Sequence, residues 1–456
     1  MSRIFAIAFI ALRSSIRSRI VLLLLAILLL VVIGLPLTVR SDGTMAGHVQ
    51  IVLGYTLGSV FVILALAIVW AGCAAVSTEV QGRQLQLVVT KPVHAAQIWL
   101  GKWLGLLILN GVLLALAGAV IYGLLLWTTR DSVTTATDRI ALREELLVAR
   151  RPIDPTLPDI DTPARARLEE LQRQQALPPD VSPTLAFDSI RHTMLADYFT
   201  VRPGAKREWI FDAPPGLNRK SSILFRMRFN SSDVGFSPVD GVWRVRCENG
   251  PEVFMKRDAR VPGGTQTLLI PAGSLPADGR VIVEYQNLNG SITVLFDPEN
   301  GIQLLAHAGT FEGNLLRTLL VIFVRLAFLA ALGVTAGSLF SMPVAAFVSL
   351  CLLLLIQLGG YMQTAANEDL VFQSHHDAPH PPTARDIFYR RLFKAMNVVV
   401  GPLQGPDTLE PLSSGVMINV SSVARVFAVQ GLLYTGVLLV VGSWILSRRE
   451  VALPSD

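Results

Sequence analysis

"TEVQGRQLQLVVTKPVHAAQIWLGKWLG", residues 78 to 105, sets Glu79, Arg83, Lys91 and Lys102 between two long apolar runs. A polar stretch so placed reads as a hairpin between two membrane-crossing helices, and the number of such runs then decides the fold class. Of 456 residues, 52% are hydrophobic and 16% charged, where soluble domains carry about 25% charged residues. The mean hydropathy is +0.51. Crossing roughly 30 Å of hydrocarbon at about 1.5 Å per residue takes about 20 apolar residues. Runs of that kind lie near 20–39, 51–76, 99–127, 315–340, 343–361 and 426–447. The expectation is an α-helical integral membrane protein with six transmembrane helices.

The first run, "IVLLLLAILLLVVIGLPLTV", follows Arg3, Arg13, Arg17 and Arg19. It is longer than the about 7–15 residues of a signal-peptide core and reads as a retained helix. The positive-inside rule places those arginines in the cytoplasm, and six spans return the tail, 448–456, to the same side, where Arg448 and Arg449 agree. The chain is thus expected in the inner (cytoplasmic) membrane, multi-pass, with both termini cytoplasmic. Residues 1–19 carry Ile4, Phe5, Ala8, Phe9, Leu12 and Ile16 at helical spacing, with Arg13 and Arg17 on another face. That pattern fits an amphipathic helix on the inner surface, or an ordinary basic flank. The net charge of +5 calls for no nucleic-acid partner, because the basic residues gather at membrane boundaries and across one soluble region. Cys73 and Cys351 lie in apolar runs and Cys247 in the soluble region, so no disulfide pair is evident.

Residues 20–127 hold the first three spans with an inner loop at 77–98. Residues 128–197 read as an outer helical linker region, charged in "DRIALREELLVARR" and "ARARLEELQRQQ" and broken by prolines at 152, 155, 158 and 163. From 198 to 312 the period becomes two. Ile223, Phe225, Met227 and Phe229 alternate with Arg226 and Arg228, and Trp243, Val245 and Cys247 with Arg244 and Arg246; "RVIVEYQN" and "SITVLFD" repeat the pattern. Short alternating strands with turns between them predict an inserted outer β-sandwich, jelly-roll-like, periplasmic or extracellular. Trp209 and Trp243 belong to its core by alternation, or serve as surface stacking platforms. Residues 313–361 form spans four and five around the inner turn "SLFSMP". In the outer loop 362–425, Phe388, Leu392, Ala395, Met396 and Val399 share a helical face opposite Arg390, Arg391 and Lys394. Such a helix rests on the outer leaflet or packs on the β-domain. Residues 426–447 are the last span.

Within the loop 77–98, Leu85, Val88 and Val89 form an apolar strip at helical spacing, and a helix there ends before Pro92. Lys102, in "IWLGKWLG", is able to snorkel to the interface, and Glu79 to pair with Arg83 four residues on. A short amphipathic helix held between two spans can transmit a push from a cytosolic partner. The order Glu79, Gly82, "LQLVVTKPV" and "LGK" resembles the loop between spans two and three of ABC-2 type permeases, the membrane subunits of ATP-binding cassette transporters. "AALGVTAGSLFSMPVAA" at 330–346 is similar to the turn between their fourth and fifth spans, above all in permeases grouped with copper-enzyme maturation and gliding motility. The segment "PLSSGVMINVSSVARVFAVQGLLYTGVLLVVGSWILSRRE" ends in the arginine-rich flank such permeases often show. The resemblance covers the six spans and short inner loops and leaves out the β-domain. It implies a half-transporter of the exporting kind that pairs with a second permease copy or a paralogue and sits on separate ATPase subunits. Glu79, Gly82, Arg83, Leu85, Val88, Val89, Lys91 and Pro92 then match the coupling helix that docks on the ATPase. ATP and Mg would be bound by that partner, since this chain has no G-x-x-x-x-G-K-[ST] loop, its Gly101–Lys102 pair being followed by Trp103.

None of the six runs contains Asp or Glu, which disfavours an ion-coupled carrier. Arg325 is the main intramembrane charge; with Asn110, Gln357 and Gln430 it lines a transport path or a helix interface. His375, His376 and His380, beside Asp377, have spacing that can bind copper or zinc, or lie in a solvated proline-rich loop. No H-E-x-x-H or G-x-S-x-G occurs, so an enzyme centre is not expected. The alternative reading is a multi-span membrane-anchored sensor or binding protein that presents the β-domain to a glycan or protein partner.

Overall fold

The computed structural model describes residues 3–38, 45–81, 94–131, 144, 146–177, 183–212, 222–233, 237–247, 252–271, 280–298, 301–359 and 384–448. Two compact units emerge: a helical unit of 1–146, 311–414 and 418–456, and a β unit of 147–310 with 415–417.

The helical unit begins with α1 (Arg3–Arg17) and α2 (Arg19–Thr38), followed by α3 (Met45–Gln50), which passes through a π-helical turn into α4 (Thr56–Gln81), and then α5 (Ala95–Asp131). After the β unit come α8 (Phe311–Leu339), α9 (Met342–Gln357), α10 (Ala384–Gln404), α11 (Leu409–Ser413) and α12 (Val420–Val426). A π-helical stretch, Phe427–Tyr434, joins α12 to α13 (Thr435–Arg448). Among the described residues, Ile51–Glu79, Ala95–Trp127, Phe311–Leu339 and Val420–Arg448 are long and apolar enough to cross a membrane. A fifth crossing is counted if α1 and α2, an apolar pair meeting at a sharp bend, make one broken span. With 16 residues, α9 is shorter than the about 20 that a full crossing takes. At its start Ser341 is extended at the cap and proline sits in the first turn, where no backbone N–H is missed.

Helices α4 and α8 pack backbone to backbone. A Cβ on Gly333 would stand 2.9 Å from the Val69 carbonyl oxygen, and one on Gly337 would stand 2.5 Å from that of Cys73. Glycines four residues apart let the two backbones touch, which is how helices associate where no water is expelled between them. Polar side chains pin further crossings. Trp99 Nε1 on α5 donates to Thr335 Oγ1 on α8 at 3.2 Å, and Thr335 Oγ1 donates to the Leu438 carbonyl on α13 at 3.2 Å. Helix α1 turns Ala8 and Ser15 inward, and its backbone runs against Gly101 and Gly105 of α5. Phe5, Phe9 and Ile16 stay exposed, with Arg13 and Arg17. The helix expected around Phe388 to Val399 is present as Ala384–Gln404, with Phe388 and Leu392 exposed and Val400 and Leu403 buried.

The β unit is a sandwich of two antiparallel sheets. One holds β1 (Val148–Ile153), β10 (Ile302–Thr310), β4 (Ile223–Ser231), β9 (Val294–Phe296) and β2 (Thr200–Val201) in that order, with β7 (Thr265–Ile270) paired to β4. The other runs β3 (Lys206–Asp212), β8 (Arg280–Asn287), β5 (Val239–Cys247) and β6 (Glu252–Arg260). Ile223, Phe225, Met227 and Phe229 meet Trp243, Val245, Val283 and Tyr285 in one core. Trp209 and Trp243 are buried in it, so they are core residues and not exposed platforms.

Residues 148–153, read from sequence as part of a charged helical stretch, form β1 instead. Pairing with β10 in the register Val148 to Thr310 and Ile153 to Leu304 overrides the local helix preference. The later linker segments are helical as expected, α6 (Asp161–Arg173) and α7 (Pro183–Tyr198). Residues 415–417 lie along β1: Arg150 N donates to the Gly415 oxygen at 2.8 Å and Met417 N to the Arg150 oxygen at 2.7 Å. The β unit therefore begins near residue 147 and recruits a second, distant piece of chain.

Two measurements test this packing. Gly337→Leu should part α4 from α8 and lower the thermal midpoint of the detergent-solubilised chain, whereas Gly123→Ala, with nothing within 4 Å, should not. Glu284 ionises below its ordinary 4.5, because burial, which alone would raise it, is outweighed by the Arg244 hydrogen bond and the Lys206 charge. A depressed folded-state value means stability that is present above the unfolded value and lost as pH falls through the folded one. The pH dependence of near-ultraviolet melting between about pH 6 and pH 3 should therefore weaken in Glu284→Gln.

Candidate functional site

The first site is the base of the hairpin. Glu79 closes α4, and Lys102 stands in the second turn of α5. Lys102 Nζ lies 2.5 Å from Glu79 Oε2 and also donates to the Ala75 carbonyl; the lysine side chain is 4% exposed and the glutamate 33%. Lys102 was expected to snorkel outward; it points inward instead, because a carboxylate and a helix carbonyl are close enough to satisfy it. The pairing of Glu79 is with Lys102, one helix away. Gly82, Arg83, Leu85, Val88, Val89, Lys91 and Pro92 lie outside the described residues, as do His375, His376 and His380. Among the described residues no group of His, Cys, Asp and Glu could hold a metal ion.

The second site surrounds Arg325, the fifteenth residue of α8, about 21 Å along the helix from Phe311 at about 1.5 Å per residue. Its Nη2 donates to two carbonyl oxygens, Gln404 at 3.0 Å and Pro406 at 2.7 Å. Both carbonyls can face one nitrogen because Gly405 between them has φ +60°. A Cβ there would be strained and would stand 2.9 Å from Nη2. Gln430, 1% exposed, donates from Nε2 to the Leu403 carbonyl at 2.7 Å and buttresses the same turn. Among the described residues no carboxylate makes an ion-pair contact with Arg325, although that of Asp407, beside Pro406, acts on it through space. Its Nε and the Gln404 Nε2 are buried with no hydrogen-bond acceptor there.

Of the four residues singled out in the apolar runs, Arg325, Gln357 and Gln430 line one small cavity with Gln404, Phe61 and Phe328. Asn110 is not part of it. That side chain is buried on α5 and donates to the Leu106 carbonyl at 3.1 Å within its own helix. Gln404 and Gly405 escaped the sequence reading, although "GPLQGPD" at 401–407, with two Gly-Pro pairs, is a strong turn signal.

No protein-family model, no curated protein and no solved structure matches this chain. The site thus rests on its own geometry: an ion pair that ties two apolar helices together, and an arginine of an apolar helix held by carbonyl oxygens beside a cavity.

The pair makes an asymmetric prediction. Glu79→Ala leaves a buried ammonium with only a carbonyl, whereas Lys102→Met leaves a partly exposed carboxylate near water. The first should cost more thermal stability, though less than the about 3–5 kcal/mol of a fully buried pair. Adding Lys102→Met to Glu79→Ala should recover part of the loss.

Proposed function

We infer that this chain is the permease subunit of an ABC-2 type ATP-binding cassette transporter of the exporting kind. It has six spans in the inner membrane, works with a second copy or a paralogue, and carries a jelly-roll-like sandwich on the outer side. ATP and Mg are bound and hydrolysed by a separate subunit that docks on residues 82–92.

The observation that carries this reading is the Glu79–Lys102 pair. It closes the hairpin at its base, so a force applied to the loop reaches α4 and α5 together. From α4 the displacement passes to α8, where Gly333 and Gly337 leave no side chain to absorb it. Helix α8 carries Arg325, and movement there alters the cavity beside it. A loop, a clamped base, a backbone-to-backbone contact and an intramembrane cation thus form one mechanical series. An anchored binding protein would need only one or two apolar helices and gives this series no role.

Affinity purification of the full chain from detergent extracts, with mass spectrometry of what accompanies it, tests the proposal. The expected companion is a subunit bearing G-x-x-x-x-G-K-[ST], and replacing residues 83–92 by a glycine-serine linker of equal length should release it while the chain stays monodisperse. Recovery of no such ATPase with the wild-type chain, or its undiminished recovery with the linker variant, would overturn the proposal.

A further inference from the structure

Arg325 is the only arginine in the stretch 318–339, and a cation at that depth costs several kcal/mol unless something compensates it. The carbonyls of Gln404 and Pro406 supply dipoles, and the carboxylate of Asp407, next in the chain, acts on Arg325 through space without an ion-pair contact. Lys102, by contrast, has a carboxylate in direct contact. Arg325 and Gln404 also keep buried N–H groups without acceptors among the described residues, and buried donors ordinarily find one. The cavity that both line holds about 30 Å³, room for one water-sized atom. A second cavity of about 300 Å³, lined by Gln404, Gly405, Ser422, Arg425, Val426 and Val429 among others, shares Gln404 with the first. Its walls combine an apolar surface with the exposed Arg425 and the Ser422 hydroxyl, a mixture typical of small-molecule sites of about this size.

We propose that the space around the 404–406 turn binds an amphipathic molecule through an anionic oxygen group, phosphate or carboxylate. One anionic oxygen takes the open donors of Arg325 and Gln404 and gives Arg325 the contact ion pair that the more distant Asp407 carboxylate does not. The rest of the head group faces Ser422 and Arg425, and the apolar part lies along Val426 and Val429. The glycine at 405 brings the two carbonyls onto a single nitrogen of Arg325, which leaves the other guanidinium N–H groups for the ligand. Charge-assisted hydrogen bonds of this type are about twice as strong as neutral ones, and at membrane depth water competes little for them. The inference deepens the permease reading by naming the chemistry of the molecule handled, and its test requires no ATPase, so either can fail without the other.

The test is titration of the purified full chain in maltoside micelles with dodecyl phosphate, inorganic phosphate and dodecanol, followed by calorimetry. Dodecyl phosphate should saturate a single site per chain, with inorganic phosphate and dodecanol each at least tenfold weaker. Arg325→Gln should weaken dodecyl phosphate at least tenfold. Because that variant also loses the carbonyl contacts, Val429→Trp provides a second arm: it leaves Arg325 and its turn untouched, fills the larger cavity, and should abolish saturable binding in a chain that melts as the wild type does. Inorganic phosphate binding as tightly as dodecyl phosphate would mean a free-anion site and would overturn the amphipathic assignment. Dodecyl phosphate binding that survives Val429→Trp, or that Arg325→Gln leaves unchanged, would overturn the site itself.

Discussion

A positive charge set among apolar helices has to find oxygen, and the helical unit solves that problem twice in different ways. Lys102 receives a full counter-charge from Glu79 and a carbonyl from Ala75. Arg325 receives two carbonyls and, among the described residues, no carboxylate in direct contact, Asp407 acting only through space. The first solution is complete and holds two helices together as a structural joint. The second leaves the charge without an ion-pair contact, the Asp407 carboxylate acting on it only through space, and leaves N–H groups open beside a cavity. The same electrostatic cost thus produces a fixed joint at one end of the unit and a receptive point within it. What separates them is whether an acid comes into direct contact, as Glu79 does with Lys102, or acts only through space, as Asp407 does on Arg325.

The two features communicate through α4 and α8. Glu79 ends α4, and Arg325 sits two to three turns before the glycines at which α8 meets α4. Because the contact is backbone on backbone, displacement of one helix is opposed by hard repulsion and not by rearrangement of side chains. Side-chain hydrogen bonds from Trp99 through Thr335 to Leu438 extend that stiffness to α5 and α13.

Much of this was legible in the sequence, for identifiable reasons. Strands β4, β5 and β8 were found because their inward residues alternate with charged ones, and the buried positions of Phe225, Trp243 and Val283 follow that alternation. Of the six expected runs, four are found as single helices long and apolar enough to cross a membrane, because length and composition suffice to define them. Strand β1 was missed because "VARRPI" has no alternation of its own and gains its conformation from β10. The partner of Lys102 was missed because it is 23 residues away and on another helix, so no local spacing announces it. Arg325 was recognised as unusual, but its carbonyl partners come from a turn some 80 residues later, and only the folded chain shows that Gly405 brings them there.

The strap formed by residues 415–417 has a further consequence for the edge of the larger sheet. An outermost strand offers a free row of N–H and C=O groups on which another chain can build a ladder. Here Arg150 spends both of its outward backbone groups on Gly415 and Met417, and Pro152, two residues on, has no N–H to offer. An incoming strand would meet an occupied position and then a missing donor, so this border of the β unit is closed to sheet-to-sheet aggregation.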